Sequence, residues 1–353
     1  MERGSATAPG AGEAGSDERD AFDAALIPGI RDRMAEAYRA LRLTEAEQSA
    51  AVVDDRGNLR PGLLAARDCP ICGADGGGAT PFLKARGLDY VSCHECSFTY
   101  TRQGPDNGYF SLSSEDDARS AQVMLGLKGN EAYRSLEQRK VAYILGRIAR
   151  HGGSRGTLLD IGPANGALLS LAQAKGWTAW GLESNPAYVA ECRRTGLRVE
   201  QGIFPQDLPA EWPRFNAVVM LDVLEHAPAP LDFLGRVRDR LEPGGILAIQ
   251  VPNLDSLRIR LEGAANNNFI LGHWSFFSPE TLDGVVARAG FVQVGRETII
   301  SELDRILQHP PALIRRMIAD LRGVRIPDGD VIDSALIHKF ELGYKVLALF
   351  RTA

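Results

Sequence analysis

Hydrophobic residues in the second half of the chain form blocks that predict strands and helices in turn. Short apolar runs predict strands over Thr157–Ile161, Thr178–Glu183, Phe215–Leu221 and Gly245–Val251, with two more near Phe291–Ile300 and Tyr344–Arg351. Helical spacing falls between and after them, at Ala167–Lys175, Pro186–Arg194, Leu231–Leu241 and 301–323. This alternation predicts an α/β fold, with a mostly parallel sheet covered by helices on both faces.

The first half follows a different pattern and predicts several smaller units. Residues 1–20 have almost nothing to bury and predict a disordered tail, whereas 21–66 carry helical spacing. Paired cysteines occupy 67–104, and a helical linker over 105–150 ends in an amphipathic helix at Glu131–Arg150. The remaining residues, 151–353, predict the α/β domain, with a helical insertion at about 301–330.

Composition narrows the class of protein. The chain has 353 residues, of which 44% are hydrophobic and 24% charged, and its net charge is −5. These values are ordinary for a globular protein, and they provide no large basic field for nucleic acid. We find neither a long apolar span nor a secretory leader, so the sequence predicts a cytoplasmic protein without a membrane segment. The oligomeric state is not readable from the sequence.

A glycine-rich turn follows the first strand, in the stretch LLDIGPANGALLSLAQAKGWTAWGLESNP. A dinucleotide fingerprint requires a middle glycine where Ala164 stands, and Asp160 would repel a pyrophosphate at the next helix. The ammonium group of S-adenosylmethionine would instead be held by that carboxylate, directly or through water. Gly162 and Gly166 allow close backbone approach, and Glu183 is placed to accept hydrogen bonds from ribose hydroxyls. The turn favours S-adenosylmethionine, with a dinucleotide as the alternative.

The stretch FNAVVMLDVLEHAPAPLDFLGRVRDRLEPGGILAIQVPN, together with HWSFFSPETLDGVVARAGF and YKVLALFR, resembles class I S-adenosylmethionine-dependent methyltransferases of the small-molecule branch. The resemblance covers about Glu131–Arg351. It implies a Rossmann-like sheet of seven strands with the last strand inserted antiparallel. It also implies cofactor-binding roles for a set of residues, namely Asp160, Gly162, Gly166, Glu183, Ile203, Leu221 and Asp222.

Two histidines follow predicted strands, where ligands bind in such sheets. His226 follows the predicted strand Phe215–Leu221 and His273 follows Gly245–Val251, and imidazoles suit deprotonation of a hydroxyl or amine at neutral pH. We predict both as catalytic, although either could serve only to orient or pack its loop. A further hypothesis is a divalent ion held by Asp222, Glu225 and His226, by resemblance to ubiquinone-pathway O-methyltransferases.

Four of the five cysteines form a C-x2-C-x20-C-x2-C pattern, at Cys69, Cys72, Cys93 and Cys96. This spacing predicts a zinc ribbon, and four thiolates leave no open position at the metal, so the zinc would be structural. A redox role is disfavoured because no thioredoxin-like βαβ pattern surrounds either pair. Cys192 is predicted to be a buried structural residue.

A zinc ribbon before a methyltransferase resembles two groups: biosynthetic enzymes that act on sugars or secondary metabolites, and bacterial rRNA guanine methyltransferases. RNA binding requires a basic face, and basic and acidic residues nearly balance over 67–104. The sequence therefore predicts methyl transfer to O, N or C of a small-molecule acceptor. The alternatives are an RNA methyltransferase guided by the ribbon and a non-catalytic S-adenosylmethionine-binding protein.

Overall fold

The structure, a computed structural model, describes residues 62–106, 121–126, 129–153 and 155–352, with isolated positions before residue 62. Almost all of the predicted tail (1–20) and most of the predicted helical segment (21–66) lie outside the described residues. So does 107–120 of the predicted linker. Within the described part of the chain, no helix is both long and apolar enough to cross a membrane.

Short antiparallel strands surround the paired cysteines: β1 (Leu64–Ala66), β2 (Thr80–Ala85), β3 (Leu88–Ser92), β4 (Thr99–Thr101) and β5 (Gln103–Pro105). β2, β3 and β4 form a meander, and β1 pairs with β5. We call residues 67–104 the cysteine module.

A seven-stranded sheet forms the centre of the second half. Its strands are β6 (Thr157–Ile161), β7 (Thr178–Glu183), β8 (Val199–Gln201), β9 (Phe215–Leu221), β10 (Leu241–Pro252), β12 (Phe291–Ile299) and β13 (Lys345–Thr352). They lie in the order β12-β13-β10-β9-β6-β7-β8, and β13 runs antiparallel to both of its neighbours. The predicted fold class is therefore confirmed, including the antiparallel last strand.

Helices connect and cover the strands. Those whose two ends lie in the described residues are α1 (Glu131–Arg150), α2 (Ala167–Ala174), α3 (Pro186–Arg194), α4 (Pro230–Arg240), α5 (Leu257–Glu262), α6 (Pro279–Arg288), α7 (Leu303–Ile306), α8 (Pro311–Arg322) and α9 (Ser334–Lys339). The start of α3 shows how local chemistry sets these bounds. Asn185 accepts a hydrogen bond from the Ala187 amide, and Pro186 occupies the first helical position.

The single helix predicted over 301–323 is wrong. The chain forms α7 and α8 instead, separated at Pro310 and Pro311. A proline ring clashes with the preceding helical turn, and the residue before a proline disfavours helical backbone. A proline pair therefore ends one helix, and Pro311 begins the next.

The core lies on both faces of the large sheet. The stretch of β10 from Ile246 to Val251 is completely buried, as expected for a central strand covered by helices on both sides. α1 contributes Ile144 and Ile148, both fully buried, to one face. On the other face, α6 contributes Leu282 and Val286. Burial of this extent is the main stabilising term for the domain.

One short strand joins the two halves of the chain. β11 (Ser275–Phe276), which comes from the α/β half, pairs antiparallel with β4 of the cysteine module. The module's sheet therefore has the order β11-β4-β3-β2, with its edge strand drawn from another part of the sequence. Periodicity predicted the module as a separate unit and gave no sign of this pairing.

Candidate active site

The predicted site residues gather at one edge of the large sheet. β6, β7, β9 and β10 are parallel, so their carboxyl ends lie at the same edge. β13 runs the opposite way, and its first residue, Lys345, therefore joins the same edge. Ligands in open α/β sheets bind beyond this edge.

The turn after β6 has a backbone that favours glycine. Gly162 and Gly166 have φ values of +73° and +77°, in the left-handed region. A Cβ on Gly166 would lie 2.2 Å from Leu197 Cδ1, so packing also requires glycine there. Ala164 has a φ of +49°, where a side chain is disfavoured. The turn thus keeps its left-handed shape although it lacks the middle glycine.

Glu183 ends β7 directly beside this turn. Its Oε2 accepts a hydrogen bond from the Ala164 amide at 3.0 Å, and its Oε1 accepts one from the Asn185 amide at 2.9 Å. These bonds fix the carboxylate between the turn and α3. Asp160 lies inside β6 and is only 2% exposed. We call Asp160–Gly166, Glu183 and Ile203 the glycine-turn region.

Ile203 completes this region after β8. Its side chain is 54% exposed, an unusual position for a large aliphatic residue beside a buried carboxylate. Its amide donates to Asp207 Oδ2 at 2.8 Å, and the preceding amide of Gly202 donates to the Glu183 carbonyl at 2.9 Å. The sequence analysis did not identify Asp207. Its carboxylate accepts from the Ile203 amide across a turn of four residues, which hydrophobic periodicity does not reveal.

Leu221 ends β9, as predicted, and Asp222 follows it directly. Asp222 Oδ1 lies 2.8 Å from Lys345 Nζ, and its Oδ2 accepts from Gln250 Nε2 at 2.9 Å. Burial opposes ionisation of Asp222, but the charges of Lys345 and Lys140 and these hydrogen bonds lower its pKa to about 2. Asp222 is therefore a carboxylate held by a lysine from the last strand.

The structure brings the two predicted histidines together. Their ring centroids lie 4.6 Å apart in an edge-to-face arrangement. His226 Nδ1 lies 2.9 Å from the Gly272 carbonyl oxygen, and His273 Nδ1 lies 3.0 Å from that of Asn268. A carbonyl oxygen only accepts hydrogen bonds, so each Nδ1 carries a proton. In a neutral ring, Nε2 then remains available as a base.

The surroundings of the two rings differ. His226 is exposed, whereas His273 is half-buried. Burial lowers the pKa of both imidazoles, and that of His273 falls well below its usual value because His226 and Lys345 lower it further. A ligand arriving from solvent therefore meets His226 first.

Glu225 lies beside the histidines, and its carboxyl group has no hydrogen-bond partner in the part of the chain that the structure describes. Its side chain is 2% exposed, and neither carboxyl oxygen has a partner within the described residues. Burial and the nearby charge of Asp222 raise its pKa to about 8, although Lys345 opposes the shift. Glu225 and His273 also line an enclosed cavity that has room for about one water molecule. We call Glu225, His226 and His273 the histidine region.

The predicted metal trio of Asp222, Glu225 and His226 is not the set that the structure brings together. Asp222 is turned to Lys345 and Gln250. Glu225, His226 and His273 instead place one ligand atom each within 4.8 Å of one another. The metal set predicted from the sequence did not include His273, because this residue lies 47 positions beyond His226 along the chain.

The four cysteines of the module fit a zinc ion. Cys69 Sγ lies 3.6 Å from Cys96 Sγ, and Cys72 Sγ lies 3.4 Å from Cys93 Sγ. Sulfurs around a tetrahedral zinc with bonds of about 2.3 Å lie at nearly this separation. Gly73 and Ser97 occupy equivalent turns, with φ values of +73° and +60°. Cys192, by contrast, is fully buried in α3, and its thiol donates to the Ala164 carbonyl.

Two sequence comparisons agree that part of this chain is similar to methyltransferases. Residues 133–294 match the family described as "Methyltransferase domain". The chain is 30% identical over 159 residues to a ubiquinone biosynthesis O-methyltransferase of Cereibacter sphaeroides, a match covering 40% of this chain and 63% of that protein. The protein of the same name from Paramagnetospirillum magneticum is 33% identical over 97 residues, covering 26% and 38%. The chain thus spans less than two thirds of these relatives.

Solved structures are similar at lower identity. A 1,6-didemethyltoxoflavin-N1-methyltransferase from Burkholderia thailandensis is 15% identical, with a TM-score of 0.45, over 78% of this chain and 100% of that one. A SAM-dependent methyltransferase from Archaeoglobus fulgidus is 17% identical, with a TM-score of 0.43, over 61% and 94%. Residues 133–294 thus match a methyltransferase domain, and the predicted resemblance to class I methyltransferases is confirmed.

Proposed function

We propose that this protein is an S-adenosylmethionine-dependent methyltransferase that transfers a methyl group to a small-molecule acceptor, with a hydroxyl oxygen as the favoured acceptor atom. The proposal rests on one observation: the glycine-turn region and the histidine region lie side by side at the same edge of the large sheet. The glycine-turn region has the backbone and carboxylate that a nucleoside requires. The histidine region adjoins it because β9, which leads into Glu225, pairs in parallel with β6, which leads into the glycine turn.

S-adenosylmethionine supplies an electrophilic methyl group when it is bound. Glu183 is placed to accept hydrogen bonds from ribose hydroxyls, and Asp160, Gly162, Gly166, Ile203, Leu221 and Asp222 are proposed to line the rest of that site. The exposed side chain of Ile203 offers an apolar surface for the adenine. The roles of the turn residues and of Glu183 require only the backbone shape of the turn and the position of the end of β7.

His226 is proposed as the general base, whose Nε2 takes the proton from the acceptor. It is exposed, and its Nδ1–H is held by the Gly272 carbonyl, so the ring has a fixed orientation. His273 packs edge-on against His226 and keeps the ring in place. A hydroxyl acceptor agrees with the names of the similar ubiquinone biosynthesis O-methyltransferases.

The test is formation of S-adenosylhomocysteine with a panel of phenols, sugars and amines, measured with purified protein after weakly bound divalent cations are removed. Turnover with hydroxyl acceptors is expected. Activity that appears only when magnesium is restored would instead assign Glu225, His226 and His273 to an ion. Salt-dependent retention of RNA, together with methylation of RNA alone, would overturn the small-molecule proposal. Cofactor binding without turnover on any acceptor would favour a non-catalytic binder.

A further inference from the structure

Arg67, the first residue of the cysteine module, reaches into the α/β half of the protein. Its Nη1 donates to the Pro228 carbonyl at 2.9 Å, and its Nη2 donates to the Trp274 carbonyl at 2.6 Å. Its Nε donates to the Thr101 carbonyl at 3.0 Å, which fixes the guanidinium against β4. One planar group therefore joins the module to two loops that are separate in sequence.

Those two loops carry the predicted catalytic histidines. Pro228 lies two residues after His226, and Trp274 directly follows His273. The Trp274 amide donates to the Glu225 carbonyl at 2.8 Å, so the loops also bond to each other beside Arg67. The distance between the two imidazoles thus depends on contacts that Arg67 organises.

The module holds the second loop from another side as well. Arg86, in the turn between β2 and β3, donates to the Phe269 carbonyl at 2.6 Å and to the Asn266 carbonyl at 3.3 Å. Tyr90 packs edge-on against Phe269, with centroids 5.1 Å apart. This loop provides the Asn268 carbonyl that orients His273.

We propose that Arg67 is a positioning residue, through which the cysteine module sets the relative placement of the His226 and His273 loops and so forms one side of the acceptor site. The role in acceptor binding rests on the proposed function, but the positioning itself does not. A guanidinium has five donors in a fixed plane and bonds several carbonyls at once. A lysine ammonium in its place has the charge but not this planar fork.

The experiment compares Arg67→Ala, Arg67→Lys and Arg86→Ala with the unmodified full-length protein. The readouts are amide hydrogen exchange at Trp274 and the pH titration of the two imidazoles followed by NMR. We expect exchange at Trp274 to become at least about tenfold faster in both Arg67 variants. The titration midpoints of the histidines should move by about half a pH unit or more. S-adenosylhomocysteine affinity, measured by calorimetry, should stay the same, because Arg67 has no contact with the glycine-turn region.

Arg315→Ala is the matched control, because Arg315 also donates to several backbone carbonyls, including those of Pro327 and Asp330, in the loop after α8. It should leave both readouts unchanged. The proposal would be overturned if Arg67→Ala retained zinc and showed the hydrogen exchange and histidine titration of the wild type. It would also be overturned if Arg67→Lys restored both readouts fully, because the charge alone would then be sufficient. If Arg67→Ala loses zinc, the Arg86→Ala variant provides the test instead. An unchanged titration of His273 in Arg86→Ala would then also overturn the proposal. None of these readouts needs turnover, so failure of the proposed function would be seen separately.

Discussion

The glycine-turn region and the histidine region lie at the same sheet edge but are built in opposite ways. In the first, Glu183 is held by the amides of Ala164 and Asn185, which lie within 19 residues of it. In the second, the Glu225 carboxyl group has no hydrogen-bond partner among the described residues, and His226 is oriented by a carbonyl 46 residues away. Contacts within one β-α-β unit therefore hold Glu183 in the first region, whereas contacts between segments far apart in sequence orient the second. Changes to distant parts of the protein should disturb only the second.

The largest effect is expected from Cys69→Ser. Zinc binding contributes about 10–16 kcal/mol in small zinc-binding peptides, and this variant removes one of the four ligands. We expect elemental analysis to show loss of the single zinc and hydrogen exchange to rise across the cysteine module and β11. S-adenosylhomocysteine affinity should change little, because the amides that hold Glu183 belong to Ala164 and Asn185, outside the module. Cys192→Ser is the control and should keep its zinc. Full zinc content in Cys69→Ser would exclude the four-cysteine site.

His226→Ala is expected to have the next largest effect. General base catalysis is typically worth ~10²–10⁴-fold, so kcat should fall within that range while cofactor affinity is retained. His273→Ala should also lower kcat, but by less, because its ring only supports that of His226. Steady-state kinetics together with calorimetry would separate the two roles. A decrease of less than about tenfold in both variants would show that neither imidazole is the base.

Glu183→Ala tests the glycine-turn region by itself. Removing hydrogen bonds to a charged carboxylate should weaken S-adenosylhomocysteine binding by about 10- to 100-fold. The effect should appear in calorimetry, with zinc content and histidine titration unchanged. Glu200→Ala, on the neighbouring strand β8, is a matched control with an exposed carboxylate. Equal affinity in Glu183→Ala and the control would remove Glu183 from the site.

The same contrast explains how much the sequence predicted. The bounds of β6, β7, β9 and α3 agree with prediction to the residue, because short apolar runs and an Asn-Pro cap signal them locally. The pairing of β11 with β4 was not predicted, since two residues of strand carry no periodicity. The link between Arg67 and the histidine loops spans 161 and 207 positions, and nothing in the local sequence signals it.

Glu225→Gln should change the pH dependence of stability. The pKa of Glu225 is raised to about 8 in the folded protein, against about 4.3 in an unfolded chain. The folded state therefore binds the proton more tightly, and stability from this group is lost as pH rises from about 4.3 to 8. Glutamine does not titrate, so the variant should gain at least about 1 kcal/mol relative to wild type between pH 5 and pH 8.

The measurement is the free energy of unfolding in urea at several pH values, after removal of weakly bound divalent cations. Asp222→Asn provides a contrast of opposite sign. The pKa of Asp222 is lowered to about 2, so its contribution is present above about pH 4 and is lost as pH falls toward 2. A difference between Glu225→Gln and wild type that is constant from pH 5 to 8 would show that Glu225 has an ordinary pKa.

The smallest effect is expected at Ala164, which stands where a dinucleotide fingerprint has its middle glycine. Its φ of +49° is disfavoured for a residue with a Cβ by about 1–2 kcal/mol, whereas glycine adopts it freely. Glycine also makes the unfolded chain more flexible, which offsets about 0.4–1 kcal/mol of that gain. Ala164→Gly should therefore stabilise the protein by up to about 1 kcal/mol and leave histidine titration unchanged. Ala172→Gly, inside α2, should instead destabilise it by about 1 kcal/mol. Urea denaturation of Ala164→Gly and Ala172→Gly measures the two changes in stability. Equal losses of stability in the two variants would mean that Ala164 is not strained.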